Sequence, residues 1–247
     1  MRYLLPLIEG FLVRRYGRFL ADVTVEGRLL TVHCPNSGSM AGLIDSGNRI
    51  RISGPYSGKR KYAYTLEQIQ ITRPDGRKIW VGINTMVPNV LVHEILKIHH
   101  LPELKGYSIV RKEVKLGDHS RIDFRCEGPG LPLCWVEVKN VTSLLPDPTI
   151  KSHLNEGNIA IFPDSVTTRG AKHLRELIER VALGEEAIML YVIQRSDAEL
   201  FSPAPCFDPN YTEELQRAQA SGVEVLAIRA RITKSGIFLG KKIPTVI

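Results

Sequence analysis

Alternating apolar and polar positions predict short β-strands along the first third of the chain. Glycines such as Gly17 and Gly27 interrupt the pattern where tight turns are expected. The predicted strands cover residues 12–16, 19–25, 29–33, 49–53, 62–72 and 78–83. Short strands at this density are typical of a small barrel, and we expect an OB-like domain over residues 1–85.

The pattern changes near Met86, where apolar residues begin to recur at helical spacing. Further helices are predicted over residues 168–183 and 211–220, with Gly184 and Gly222 placed to end them. The later strands are predicted over residues 107–114, 121–126, 133–138, 187–193 and 224–230. We therefore expect a mixed α/β (α+β) fold, with an α/β domain over residues 86–247 that follows the barrel.

Residues 120–140 predict a β-hairpin, because two alternating runs flank the turn-rich sequence EGPGLP. Pairing the strands symmetrically about Gly130 places Asp123 opposite Glu137, with Cβ atoms roughly 5 Å apart. Side chains alternate between the two faces of a strand. One face is therefore expected to be wholly apolar, with Ile122, Phe124, Cys126, Cys134, Val136 and Val138. The other carries Arg121, Asp123, Arg125, Trp135, Glu137 and Lys139.

The polar face of this hairpin has the residue types of a metal-dependent hydrolytic site. Two adjacent carboxylates, Asp123 and Glu137, repel each other unless a cation or a proton intervenes. Mg²⁺ commonly takes one or two carboxylates together with substrate phosphate and water. Lys139 lies two residues from Glu137 on the same face, where it can orient an attacking water or steady a phosphoryl oxygen. A ladder of salt bridges on a solvated face is the alternative that the sequence leaves open.

Two helices add candidate residues to this site. Glu94 shares a helix face with apolar residues, so it is either a third acidic group or a glutamate that reaches solvent from the edge of that face. The helix that begins near residue 168 carries Arg169, Lys172 and His173 in its first turns. Because a helix N-terminus favours anions, these three are candidate phosphate contacts, with a solvated basic face as the competing interpretation.

The charge of the chain favours a polyanionic partner, nucleic acid first, although Lys and Arg also serve simply to solvate a surface. The formal net charge is +7 and the pI is about 9.3. The candidate nucleic-acid contacts of the first domain lie in segments that also carry aromatic residues. These contacts are Arg14, Arg15, Arg18, Lys59, Arg60 and Lys61.

Several features favour a cytoplasmic protein without a membrane partner. No apolar stretch approaches the ~20 residues of a membrane span, and the N-terminus does not resemble a signal peptide. The four cysteines form no CxxC pair, so a zinc site is not expected and reduced thiols are the simplest account.

The chain resembles the sugar fermentation stimulation protein A family in seven motifs that occur in order. They are RRYGRFLADV, VHCPNSGSMAGL, NTMVPNVLVHEIL, SRIDF, CWVEVKNVT, FPDSVTTRGAKHLREL and VIQRSD, and they extend over nearly the whole chain. The resemblance implies an N-terminal OB-like domain, a restriction-endonuclease-like α/β domain and DNA binding. It maps the PD-(D/E)xK nuclease pattern onto Asp123, Glu137 and Lys139, with Glu94 as the helical acid. The segment 143–158 departs from the family pattern in being longer than we expect.

Two hypotheses for function follow. In the first, the chain is a nuclease that uses Mg²⁺ or Mn²⁺ and acts on nucleic acid, with DNA as the favoured substrate. In the second, it is a non-catalytic DNA-binding regulator of sugar-utilisation genes that retains a nuclease fold. The complete Asp–Glu–Lys set favours the first, since carboxylates repel a phosphate when no metal is present. The choice of DNA or RNA, the mode of cleavage and the oligomeric state stay open.

Overall fold

The first domain is a closed barrel of short strands. The computed structural model describes residues 1–58, 60–97, 101–117, 120–145 and 158–247, so Lys59 and most of segment 143–158 lie outside the described residues. The strands are β1 (Ile8–Tyr16), β2 (Leu20–Val25), β3 (Arg28–His33), β4 (Arg49–Ser53), β5 (Thr65–Thr72) and β6 (Lys78–Gly82). β1 pairs with both β2 and β4, and β3 reaches β5 through His33 and Thr65, which closes the ring β1-β2-β3-β5-β4. This topology confirms the predicted OB-like barrel.

The second domain is a mixed six-stranded sheet with helices on both faces. Its helices are α1 (Val87–Lys97), α2 (Thr168–Ala182) and α3 (Pro209–Ala220), with a 3₁₀ helix at Pro102–Leu104. Its strands are β7 (Ile109–Leu116), β8 (Ser120–Glu127), β9 (Cys134–Val141), β10 (Ser143–Leu144), β11 (Ile159–Phe162), β12 (Glu186–Ile193), β13 (Leu200–Pro203), β14 (Glu224–Ile232) and β15 (Ile237–Lys242). The order is β15-β14-β12-β9-β8-β7, with β12 parallel to β9 and β14. The mixed α/β fold class is confirmed.

Each face of this sheet buries its own core. α1 covers one face and contributes Leu91 and Val92 to its core. α2 and α3 cover the other face and contribute Leu174 and Leu215. Strands covered on both sides are apolar almost throughout, and β12 reads EAIMLYVI. A charged residue in the middle of β9, such as Glu137 with 3% of its surface exposed, is therefore exceptional.

Local sequence fixes where α2 and α3 begin and end. Thr167 caps α2 by accepting a hydrogen bond from Gly170 N at 3.1 Å, and Asp208 caps α3 by accepting one from Tyr211 N at 3.0 Å. Both helices end before a glycine with positive φ, which a side chain would disfavour. These start and stop residues account for the close agreement between the predicted and observed bounds.

The sequence pattern does not predict four of the strands. β10, β11 and β13 form a separate three-stranded sheet whose strands have two to four residues, too short to show alternation. β15 lies at an edge of the main sheet and ends in exposed lysines, as edge strands often do. These strands form because of the neighbours that they pair with rather than because of their own periodicity.

Polar contacts around β6 join the two domains. Gly82 N donates to Gln194 O at 2.9 Å, and Arg73 Nη1 donates to Asp197 Oδ2 at 2.6 Å. β6 ends at Gly82 and α1 begins at Val87, on either side of the division predicted near residue 85. None of the helices in the described ranges is long and apolar enough to cross a membrane.

Candidate active site

The site is built where β8 and β9 separate. Their ladder pairs Phe124 with Val136 and Cys126 with Cys134, which confirms the register that is symmetric about Gly130. One residue beyond the ladder, Asp123 Oδ2 accepts a hydrogen bond from Val138 N at 2.8 Å. The carboxylate thus takes the place that a strand carbonyl would occupy.

The prediction of one wholly apolar hairpin face is wrong for Ile122. Phe124 and its apolar neighbours on the hairpin pack beneath α1, whereas Ile122 packs with Trp135 beneath α2 and α3. On the adjacent strand β7, Lys112 pairs with Phe124 and Val114 with Ile122, while the intervening Glu113 has a φ of 51°. β7 is irregular at Glu113, opposite Asp123 of β8. Strict alternation of side chains between the two faces of the sheet does not extend from Phe124 back to Ile122.

Four polar side chains meet at this break in the sheet. Lys139 Nζ lies 2.7 Å from Glu137 Oε1 and 3.2 Å from His173 Nδ1. His173 Nδ1 also contacts Glu137 Oε1 directly. Glu137 Oε2 lies 3.4 Å from Asp123 N, so the second carboxylate lies beside the first. The structure therefore brings Asp123, Glu137 and Lys139 together and adds His173 to them.

Burial and charge set the two carboxylates apart. Burial, reinforced by the charge of Glu137, raises the pKa of Asp123 to about 6. Burial opposes ionisation of Glu137 as well, but the positive charge of Lys139 and the hydrogen bond from His173 outweigh it and lower the pKa of Glu137. Glu137 therefore ionises at a lower pH than Asp123, and a nearby cation would favour the ionised form of Asp123.

Contacts from α1 to this site involve Asn89 rather than Glu94. Asn89 Nδ2 donates to Asp123 Oδ1 at 2.6 Å. Glu94 instead accepts from the Met1 ammonium at 2.6 Å, and 54% of its side chain is exposed. Glu94 therefore matches the sequence alternative of an edge glutamate that reaches solvent. Sequence reasoning missed Asn89, although its position in the motif VPNVLVHEIL, five residues before Glu94, was the available indication.

Basic side chains extend outward from His173 along α2 and the β7–β8 hairpin. A cavity of about 510 Å³ is lined by Glu113, Lys115, Ser120, Arg121, Arg169, Lys172 and His173. Lys115 and Arg121 lie opposite each other on β7 and β8. Like charges in that position destabilise a sheet unless an anion neutralises them. We call this cavity the basic groove, after Lys115, Arg121, Arg169 and Lys172, which line it. His173 also lines it and is itself buried.

The arginines of the first domain are partly committed to internal contacts. Arg14 Nε donates to Asp22 Oδ2 at 2.8 Å, and Arg15 Nη2 donates to Asn36 O at 2.8 Å. Arg18 is exposed at the turn between β1 and β2. Arg15 therefore supports the loop after β3, and its contact with nucleic acid stays a prediction, as does that of Arg14.

Aromatic rings accompany the second basic segment of the first domain. Arg60 lies over the Tyr56 ring at 4.5 Å, and Lys61 lies 5.5 Å from the Tyr62 ring. Cations and aromatic rings in such proximity are typical of surfaces that bind single-stranded nucleic acid.

The donor set fits a hard divalent cation held by few protein ligands. Within the described ranges, no group of three or more His, Cys, Asp or Glu side chains is arranged to hold a metal ion. Asp123 and Glu137 are the two carboxylates available, and Mg²⁺ typically takes one or two carboxylates with the rest of its shell from water and phosphate. The paired acids, one with a raised pKa, match that requirement.

Comparisons with known proteins agree with this architecture. Residues 13–83 match the model of the SfsA N-terminal OB domain, and residues 86–236 match that of the sugar fermentation stimulation protein RE domain. A sugar fermentation stimulation protein homolog of Geobacter metallireducens is 47% identical over 250 residues, covering 100% of both chains. Another, of Geobacter sulfurreducens, is 46% identical and covers 98% of this chain and 97% of its own. Pyrococcus furiosus SfsA, solved in complex with Ca²⁺, has a similar fold, with a TM-score of 0.83, 24% identity and complete coverage of both chains.

Proposed function

Because the chain belongs to the sugar fermentation stimulation protein family, we propose that its second domain is a metal-dependent nuclease acting on DNA. The observation that carries the proposal is the junction of Asp123, Glu137 and Lys139 at the point where β8 and β9 part. A purely structural salt bridge would not need a second carboxylate whose ionisation is opposed by the first.

Asp123 and Glu137 are the proposed ligands of Mg²⁺ or Mn²⁺. A cation bound there would supply Lewis-acid stabilisation of phosphoryl charge and a lower pKa for a nucleophilic water. The relative from Pyrococcus furiosus is in complex with Ca²⁺, another hard cation that prefers oxygen ligands. Asn89 and Val138 N each donate to one oxygen of Asp123, which fixes the orientation of its carboxylate.

Lys139 and His173 have distinct proposed roles. Lys139 holds Glu137 Oε1 at 2.7 Å, so its ammonium lies where it can orient the attacking water or steady a phosphoryl oxygen. His173 also contacts Glu137 Oε1 and is itself buried in the first half of α2. We assign His173 to positioning of Glu137, and not to direct contact with DNA.

The basic groove supplies the proposed path for the DNA backbone. Lys115, Arg121, Arg169 and Lys172 line it together with His173, which contacts Glu137. Phosphates bound by these side chains would lead a strand to the carboxylate pair. The proposed nucleic-acid contacts of the OB domain remain Arg14, Arg15, Arg18, Arg60 and Lys61. Lys59 is also proposed, on its position in the sequence.

The second candidate is a DNA-binding regulator of sugar-utilisation genes without catalysis. It is favoured by the names of the relatives, which describe an effect on sugar fermentation. The two candidates differ in one measurable respect, since only the first requires a divalent metal for turnover.

The deciding experiment measures cleavage of labelled single-stranded, double-stranded and branched DNA, and of matching RNA, in Mg²⁺, Mn²⁺ or EDTA. We expect cleavage of DNA with metal and none in EDTA. Asp123→Asn and Glu137→Gln should each lower the rate by about a hundredfold or more. Glu94→Gln is the matched control and should cleave normally, because Glu94 pairs with Met1. Binding without cleavage under every metal condition would support the regulator instead.

A paired substitution separates chemistry from binding. Lys139→Ala should abolish cleavage while leaving DNA affinity largely intact. Lys115→Ala should weaken binding to all sequences and flatten the log–log salt slope by about one, with the rate at saturating DNA preserved. Normal cleavage by Lys139→Ala would remove this lysine from the proposed chemistry.

A further inference from the structure

A second buried carboxylate lies in the OB domain, remote from the chemistry proposed above. Glu67 on β5 is 4% exposed. Its Oε1 accepts from Ser53 Oγ at 2.6 Å, and its Oε2 accepts from Asn84 Nδ2 at 2.9 Å. Both donors are neutral, and within the described part of the chain no cation pairs with Glu67. Burial raises the pKa of this carboxyl.

Such a group is costly to keep in a barrel core. A buried carboxylate without a cation loses hydration that two neutral hydrogen bonds only partly replace. Each carboxylate oxygen has room for two acceptor interactions, and each oxygen of Glu67 is engaged once by the contacts above. The carboxylate therefore retains one acceptor position on each oxygen.

Glu67 also lines open space. Two cavities, of about 450 and 500 Å³, share the four lining residues Tyr56, Glu67, Asn84 and Met86. The larger cavity is also lined by His33, Arg60, Lys61 and Tyr62. The carboxylate thus lies beside a Tyr56 ring and below two cationic side chains that are exposed at the rim.

We propose that the larger of these two cavities, which we call the Glu67 pocket, binds one unpaired guanine base of a nucleic-acid strand. The proposal rests on the nucleic-acid binding proposed above and adds a base preference to it. Among the common bases, guanine offers two adjacent donors on its Watson–Crick edge, N1–H and N2–H, which match two adjacent carboxylate acceptors. Adenine and cytosine place a ring acceptor beside their amine, and thymine flanks its single N–H with carbonyls, so each would meet repulsion.

The remaining groups of the Glu67 pocket suit a nucleotide. Tyr56 offers a ring face on which a base can stack, and Arg60 and Lys61 can neutralise the phosphates on either side of it. A free amine or polyamine would also find the carboxylate, but it would have to approach past the same two cations. The charges at the rim therefore favour an anionic ligand with a donor-rich edge.

The first test needs no variant. Anisotropy of the full-length protein in EDTA is measured with labelled dT₇ and with dT₇ whose central base is replaced by guanine, hypoxanthine or adenine. The guanine oligonucleotide should bind about tenfold to a hundredfold more tightly than the hypoxanthine one, which lacks only the N2 amine. Equal affinities for guanine and hypoxanthine would overturn the proposal.

Two substitutions locate the preference. Glu67→Gln should abolish discrimination between guanine and hypoxanthine while keeping the affinity for dT₇, and the Ser53 hydroxyl can turn to accept from the new amide. Glu26→Gln, an exposed glutamate outside both cavities, is the matched control and should keep full discrimination. Discrimination that survives in Glu67→Gln would overturn the assignment to this pocket.

Failure of this inference and failure of the proposed nuclease are distinguishable. If the protein cleaves DNA but shows no preference for guanine, then the inference about the Glu67 pocket alone is wrong. If the protein prefers guanine, or binds guanosine monophosphate in a Glu67-dependent manner, but cleaves nothing, then the nuclease assignment alone is wrong.

Discussion

At the scale of single residues, the candidate site is held in an electrostatically unfavourable state. Asp123 is a carboxyl whose ionisation is opposed by burial and by Glu137, so it raises the free energy of the folded chain near neutral pH. Functional sites commonly retain such groups because ligand binding requires them. The unfavourable ionisation of Asp123 should therefore be detectable as a pH-dependent change in the stability of the protein, which can be measured without any substrate.

Asp123→Asn should stabilise the protein at pH 7.5 in EDTA by about 1–2 kcal/mol. The folded pKa of Asp123, about 6, lies above its ordinary value of 3.8, so its contribution to stability is present at low pH and is lost as the pH rises through 6. The gain should therefore shrink markedly at pH 4.5 and vanish only below the ordinary pKa of 3.8, where the carboxyl is protonated in both states. Thermal unfolding at both pH values measures it, and addition of Mn²⁺ should stabilise only the wild type.

Asp75 supplies a control of opposite sign. The hydrogen bonds from Arg77 lower the pKa of Asp75 to about 2, so its stabilising contribution is present at neutral pH. Asp75→Asn should lower stability at pH 7.5. A gain for Asp75→Asn, or a loss for Asp123→Asn, would contradict this account.

At the scale of elements, one buried side chain organises the starts of two helices. Asp208 Oδ1 accepts from Tyr211 N at the start of α3, and its Oδ2 accepts from Thr167 N at 2.8 Å, just before α2. α2 carries His173 against Glu137 and Arg169 along the basic groove. The start of α3 therefore helps to fix the position of candidate-site and groove residues that belong to α2.

Asp208→Ala should cost about 2–4 kcal/mol of unfolding free energy, because two backbone donors lose their acceptor in a buried place. Asp208→Asn should fall between this variant and the wild type, since one oxygen remains. Denaturant unfolding gives these values, and the rate of DNA cleavage should fall in the same order. A loss of stability without any effect on cleavage would separate Asp208 from the site.

At the scale of the whole molecule, an arginine–aspartate cluster couples the barrel to the α/β domain. Arg73, which follows β5, donates to Asp197, and Arg195 donates to both oxygens of the same carboxylate at 2.8 and 3.0 Å. Asp197 and Arg195 are nearly fully buried. Removing the shared acid would leave the buried Arg195 without this carboxylate and Arg73 with the exposed Asp75, which is more costly than the loss of an exposed pair.

Asp197→Ala should lower stability by about 3–5 kcal/mol and make the two domains unfold at separate temperatures. Asp75→Ala removes another, exposed partner of Arg73 and should lower stability much less than Asp197→Ala does, with a single transition retained. Calorimetry distinguishes the two outcomes. Equal effects of both substitutions would show that burial of the Asp197 cluster does not couple the domains.

Elements whose side chains carry a local pattern could be predicted from the sequence alone. The barrel strands β1 to β6 are short apolar runs bounded by turn residues, α2 and α3 have caps and terminal glycines, and the register of the β8–β9 hairpin follows from its apolar positions. The pairing of Asp123 with Glu137 and Lys139 was predictable for the same reason, because a short hairpin brings close in space residues that are close in sequence.

Contacts between segments that are distant in the chain could be seen in the folded protein alone. Asn89 reaches Asp123 from α1, His173 reaches Glu137 from α2, and Glu94 is taken by the Met1 ammonium, 93 residues away. The irregularity at Glu113 and the packing of Ile122 in the opposite core have no periodic signature. Periodicity specifies which face of an element is buried, but the partner on that face is chosen by packing of the whole chain, which one-dimensional spacing does not contain.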